Sequence, residues 1–234
     1  MTTSFFSLLE RRVDDCSSLL CVGLDPHGAE LPEQTARAAQ DFCTRLIEAT
    51  APYAAAFKPN AAFFEAFGPE GWAALGRVIE AVRAASQRPG SHIPVILDAK
   101  RGDIASTAEA YARSAFETLG ADAITLSPYL GRDSIEPFVR NPARGAFLLC
   151  KTSNPSAGDL QDLTVESEAA GAMPLHEYVA RLAGAWNAAG NIGLVVGATY
   201  PETLERLRAA APDLWFLAPG VGAQGGDQEA AQIG

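Results

Sequence analysis

The feature that most constrains this chain is an alternation. Seven short apolar runs, at 19–24, 54–58, 94–100, 122–127, 145–151, 192–197 and 214–220, are separated by stretches such as GWAALGRVIEAVRAAS and ETLERLRAAA, whose apolar residues recur at helical spacing. The runs are continuously apolar, as expected of strands buried on both faces of a parallel sheet. Polar punctuation is one-sided. LDPHG, FKPN, DAKRGD, TLSPYLG, CKTSNPSAGD, VGATYP and APGVGAQGGD all follow strands, whereas the entries to the strands are plain. Loops after the C-terminal ends of strands build the active sites of α/β barrels. A doubly wound open sheet is the competing fold, but LDPHGAELP after the first strand is no GxGxxG turn. The expectation is a (β/α)8 TIM barrel in a single domain over 1–234, with an N-terminal amphipathic helix over 4–16. Seven runs are one too few for that barrel. The final QEAAQIG reads as the start of a seventh helix, so the eighth βα unit is expected to be missing from a truncated C-terminus.

Charge and composition narrow the function. A net charge of −10 argues against nucleic acid or an anionic membrane as partner, and leaves room for a small anionic ligand held by local positive charge. No stretch approaches 18 uninterrupted apolar residues, so no membrane span is expected, and the N-terminus lacks the apolar core of a signal peptide. Cys16, Cys21, Cys43 and Cys150 form no CxxC pair, and His27, His92 and His176 are scattered. A zinc site is not expected, and the chain reads as reduced, soluble and cytoplasmic.

The segment VILDAKRGDI, 95–104, carries the chemistry. It begins as a core strand and ends in four ionisable side chains within six residues. Strand alternation projects Asp98 and Lys100 together into the barrel mouth. Buried charges cost several kcal/mol each unless paired, so a structural ion pair sealing the mouth is one reading. Lys58, at another strand end, projects into the same mouth, and Asp103 in the following loop could extend the series. A Lys-Asp-Lys array shifts proton affinities and holds an ammonium where a carbanion can form, which is the catalytic reading.

DAKRGDI matches a D-x-K-x-x-D-I signature, and with CVGLDPH, FKPNAAFFE, TLSPYLG and PGVGAQGGD, in that order, the chain resembles the orotidine 5'-phosphate decarboxylases, in particular the bacterial subgroup with DAKRGDI motifs. The resemblance covers nearly the whole chain. It implies a (β/α)8 barrel, usually a homodimer, that needs no metal or organic cofactor. It implies Lys58, Asp98, Lys100 and Asp103 as the catalytic charges, with Asp103 entering the neighbouring subunit's site and Thr107 reaching across with it to the ribose. Asp25 and Lys58 match ribose contacts, Ser127 a pyrimidine contact and Gln224 a loop residue closing over the phosphate; Asn60, in the KPN motif, is a further substrate-binding candidate. The implied reaction is loss of CO2 from C6 of orotidine 5'-phosphate to give UMP, in pyrimidine biosynthesis. Lys100 then protonates the C6 carbanion, while Asp98 either strains the ground state or positions Lys100.

Other signals are weaker. The family's phosphate-gripping arginine follows an eighth strand, which lies beyond Gly234; Arg206 and Arg208 fall in a helix between the sixth and seventh strands, on the wrong side to replace it. The polar stretch 151–174 exceeds ordinary loop length and reads as a lid or a disordered segment. Trp72, Trp186 and Trp215 read as packing residues, and His27 as a loop residue. Two rival functions are a magnesium-dependent sugar-phosphate decarboxylase or aldolase of the same barrel superfamily, and a non-catalytic phosphate-ligand binder. The first is disfavoured by Lys58, because those relatives carry an acidic metal-binding residue on the second strand.

Overall fold

In a computed structural model, residues 4–86, 92–167, 171–198 and 201–220 are described. All seven apolar runs form strands: β1 (Cys21–Leu24), β2 (Ala56–Pro59), β3 (Ile96–Arg101), β4 (Ala123–Leu126), β5 (Gly145–Lys151), β8 (Ile192–Val196) and β9 (Phe216–Leu217). They pair in parallel and in chain order. β1 pairs with β2, and β3 through β4, β5 and β8 to β9 form a continuous sheet. Bridges Phe57–Val95 and Asn60–Asp98 join β2 to β3. β1 and β9 are the outer strands of this run among the described residues.

Helices α2 (Ala36–Thr50), α4 (Gly68–Ala84), α5 (Ala105–Arg113), α6 (Arg132–Val139), α8 (Leu175–Trp186) and α9 (Pro201–Ala210) fall between successive barrel strands, and the short α3 (Ala61–Glu65) follows β2 directly. Local chemistry sets their starts. Thr35 accepts from the Ala38 N–H at the head of α2, and Asn60 accepts from the Ala62 N–H at the head of α3. Outward-facing strand residues such as Val22, Phe57, Leu97, Ile124, Leu148 and Leu194 pack with helix residues Ile47, Leu75, Ile79, Phe138 and Leu207 in one buried cluster. Each such aliphatic or aromatic side chain contributes about 1.5–3 kcal/mol when removed from water.

A second cluster fills the lumen from below. The N-terminal helix α1 (Phe5–Cys16), capped by Ser4, brings Phe5, Phe6 and Leu9 against the inward-facing Ala56, Ile96, Ala123, Phe147 and Val195. Phe6 stacks on Trp215 at 6.0 Å and meets the Phe147 ring edge-on at 5.7 Å. Arg12 fixes the plug by donating to the carbonyls of Ala51 and Ala54 at 2.6 and 2.9 Å. Glycine is required where the plug touches β5, because a Cβ on Gly145 would lie 2.3 Å from the Phe5 ring. The lumen is therefore apolar and sealed at the N-terminal end of the strands, which confines polar chemistry to the other end.

The stretch 151–174 is more structured than a bare loop. A short helix, α7 (Gly158–Gln161), leads into an antiparallel hairpin of β6 (Thr164–Ser167) and β7 (Gly171–Pro174). A buried cation anchors it. The Lys151 ammonium, at the end of β5, donates to Asp162 at 2.6 Å, and Asp162 lies 3.3 Å from His176 Nδ1 at the head of α8. The Lys151 hydrogen bond holds the Asp162 carboxyl below its ordinary range.

Candidate active site

Lys58 on β2 and Asp98 and Lys100 on β3 meet at the C-terminal end of the barrel. Asp98 is 7% exposed and accepts from both ammonium groups, from Lys58 through Oδ2 at 2.8 Å and from Lys100 through Oδ1 at 2.5 Å. The Lys58 side chain is 16% exposed and that of Lys100 49%, so one lysine is embedded beneath the carboxylate and the other faces the mouth. Burial would push the Asp98 carboxyl up, yet Lys58 and Lys100 together hold it below its ordinary value. Burial would likewise lower the Lys58 ammonium, and Asp98, aided by Asp25, holds it above its ordinary value. Asp98 and Lys58 therefore both carry charge at neutral pH.

Strand alternation alone does not produce this meeting. Register between β3 and β4 shifts between Leu97 and Arg101, and Lys100 has a left-handed backbone with φ of +48°. Such a conformation costs a non-glycine residue about 1–3 kcal/mol and persists only where neighbours impose it. The neighbour here is Thr125 on β4, 2% exposed. Its hydroxyl donates to Asp98 Oδ1 at 3.0 Å and accepts from the N–H groups of Ala99 and Lys100 at 3.1 and 3.0 Å. Thr125 is a site residue that the motifs did not flag. The signal was parity: counting back two from Ser127 in TLS places Thr125 on the inner face. Lys151, which ends β5 on the same rim, went unflagged as well.

The other candidates divide. Asp25, just past β1, lies close enough to raise the proton affinity of Lys58, and Gly23 leaves room for its carboxylate, which would lie 2.5 Å from a Cβ there. Asn60 stands at the end of β2 in register with Asp98, its side chain engaged in capping α3. Ser127 follows β4, half-buried, its N–H bonded to the Arg101 carbonyl at 2.8 Å. Asp103 does not join the array: its carboxylate accepts from the N–H of Ile104, and it pairs with none of the three charges. Thr107, in the first turn of α5, is exposed. Gln224 lies outside the described residues. Arg206 pairs with Glu177 at 2.8 Å, and Arg208 donates to the Leu214 carbonyl and covers the Phe216 ring at 3.8 Å.

Parallel strands in chain order, an apolar plug below and a Lys-Asp-Lys array above give the architecture of a (β/α)-barrel enzyme with a charged site at the C-terminal ends of its strands. The profile of the Orotidine 5'-phosphate decarboxylase / HUMPS family matches residues 18–233. An orotidine 5'-phosphate decarboxylase of Roseiflexus castenholzii is 54% identical over 231 residues, which are 97% of this chain and 80% of that protein. The structure of the Leishmania donovani OMP decarboxylase is 58% identical, with a TM-score of 0.82, over 93% of this chain and 80% of that one. That of the Leishmania donovani UMP synthase is also 58% identical, with a TM-score of 0.87; it covers 98% of this chain, which spans only 48% of the synthase chain. The chain belongs to the orotidine 5'-phosphate decarboxylase / HUMPS family, and its fold is the TIM barrel of those relatives.

Proposed function

We propose that this chain decarboxylates orotidine 5'-phosphate to UMP and CO2 in pyrimidine biosynthesis, with Lys100 as the group that stabilises and protonates C6. Asp98 held between two ammonium groups is the observation that carries the assignment. When the C6–carboxylate bond breaks, CO2 departs and the electron pair stays on C6 as a vinyl carbanion with little delocalisation. A preorganised ammonium beside C6 stabilises that charge at no cost of reorganisation. Lys100 is the more exposed of the two lysines and the one whose ammonium faces the mouth. It delivers a proton to C6, giving UMP, and regains one from water. Lys58, embedded and paired, is the fixed end of the array and reaches the ribose with Asp25. Asn60, Ser127 and Gln224 complete the contacts to ribose, base and phosphate, and binding the remote phosphate contributes to the rate by driving loop closure.

We assign Asp103 and Thr107 to the site of a second copy of the chain in a homodimer. Asp103 pairs with none of the charges of its own array, and large apolar side chains near it in sequence and after β4 are open to solvent: Ile104 is 52% exposed, and Tyr129 and Leu130 are exposed as well. A partner subunit covering this face would bury those side chains and bring in a second acidic group beside each Lys100. The cytoplasm is the compartment assigned, in keeping with four free cysteines.

The experiment is the fall in orotidine 5'-phosphate absorbance in the presence of EDTA. Full turnover without metal is expected. Activity abolished by EDTA and restored by magnesium would contradict the assignment and favour a metal-dependent sugar-phosphate lyase; UMP binding without turnover would favour a non-catalytic binder.

A further inference from the structure

We infer that Thr125 is a positioning residue for the decarboxylation, acting through its hydroxyl to hold the Asp98 carboxylate and the Lys100 backbone in one geometry. The inference rests on the role given above to Lys100. Backbone pairing of β3 with β4 stops after Leu97–Ile124 and resumes only at Arg101–Leu126. Across that break the N–H groups of Ala99 and Lys100 have no β4 carbonyl opposite them. The Thr125 hydroxyl oxygen takes its place, accepting from both at 3.1 and 3.0 Å. Its proton is then committed to Asp98 Oδ1 at 3.0 Å, the same oxygen that receives the Lys100 ammonium at 2.5 Å.

One buried hydroxyl thus ties together three things: the break in the ladder, the left-handed turn at Lys100, and the carboxylate that anchors the Lys100 ammonium. Valine, the isostere, fills the same space and offers neither the acceptor nor the donor. It leaves two N–H groups without an acceptor and removes one of the two donors to Asp98 Oδ1. Lys100 then loses both the backbone restraint and part of the anchor that aim its Nζ. Misplacement of a reacting group by about 1 Å costs on the order of 100-fold in rate, whereas substrate held by ribose and phosphate contacts elsewhere keeps its affinity.

The test compares wild type, Thr125→Val, Thr125→Ser and Lys100→Ala for kcat and KM on orotidine 5'-phosphate and for UMP binding. Thr125→Val is expected to lower kcat by about 10- to 100-fold, with KM and the UMP dissociation constant within about two-fold of wild type. Thr125→Ser, which keeps the hydroxyl and loses the methyl, is expected to recover most of that loss. If Thr125→Val does not fold, which UMP binding reports, Thr125→Ala replaces it with the same expectation. Near-normal kcat in Thr125→Val while Lys100→Ala is inactive would overturn the role of Thr125 and leave that of Lys100 standing. Equal losses in the valine and serine variants would also overturn it, because packing would then be the cause. Normal turnover by Lys100→Ala would overturn the reading of Lys100, and this inference with it.

Discussion

Asp98 is placed where a carboxylate is hard to keep charged, and the Lys58 and Lys100 ammonium groups keep it so. The two signs of its linkage can be worked out. Its folded value lies below the ordinary 3.8, so its contribution to stability is present above that pH and is lost as pH falls through the folded value. Lys58 lies above its ordinary 10.5, so its contribution is complete below that pH and is lost as pH rises through the folded value. The array is intact between those limits. Asp98→Ala removes the carboxylate from between two ammonium groups and is expected to destabilise the fold by about 3 kcal/mol at neutral pH. Denaturant unfolding measures this, and the difference from wild type should shrink as pH drops below 3.8. A variant as stable as wild type at neutral pH would mean that the lysines find other partners.

At the scale of elements, the barrel divides its labour between its two ends, and α1 makes the division possible. With Phe5, Phe6 and Leu9 filling the lumen from below, the polar residues at the strand ends face outward only. Gly145→Ala would drive a methyl into the Phe5 ring and loosen the plug, at a cost of about 1–3 kcal/mol. A lower thermal midpoint with unchanged kcat is expected; an unchanged midpoint would show that Phe5 yields freely. The strands and the plug helix were legible in the sequence because both rest on local apolar patterns. Two features were not. The break in β3 depends on a hydroxyl from the next strand, which no pattern within DAKRGDI reveals. The hairpin β6–β7 consists of two four-residue strands whose pairing depends on each other, and TVES and GAMP carry too few apolar residues to announce it. Among the site residues, the pairing of Lys58, Asp98 and Lys100 could be anticipated from strand ends. The isolation of Asp103 within its own chain could be inferred only from the family resemblance.

At the scale of the whole molecule, Asp98 is paired within the array, whereas Asp103 pairs with none of its three charges. If two copies complete each other's sites, Lys100→Ala and Asp103→Ala chains, each inactive alone, regain activity when mixed. Random exchange makes half of the dimers mixed, each with one intact site, so roughly one quarter of wild-type activity is expected in a two-fold symmetric dimer. Fully exchanged mixtures with no recovery would exclude the shared site. The role of Lys100 as stabiliser and proton donor at C6 is tested most directly by Lys100→Ala, assayed with EDTA for orotidine 5'-phosphate turnover and for UMP binding. Turnover should fall by several orders of magnitude while UMP still binds, because the ammonium acts mainly in the transition state. Turnover near that of wild type would contradict the mechanism at its centre.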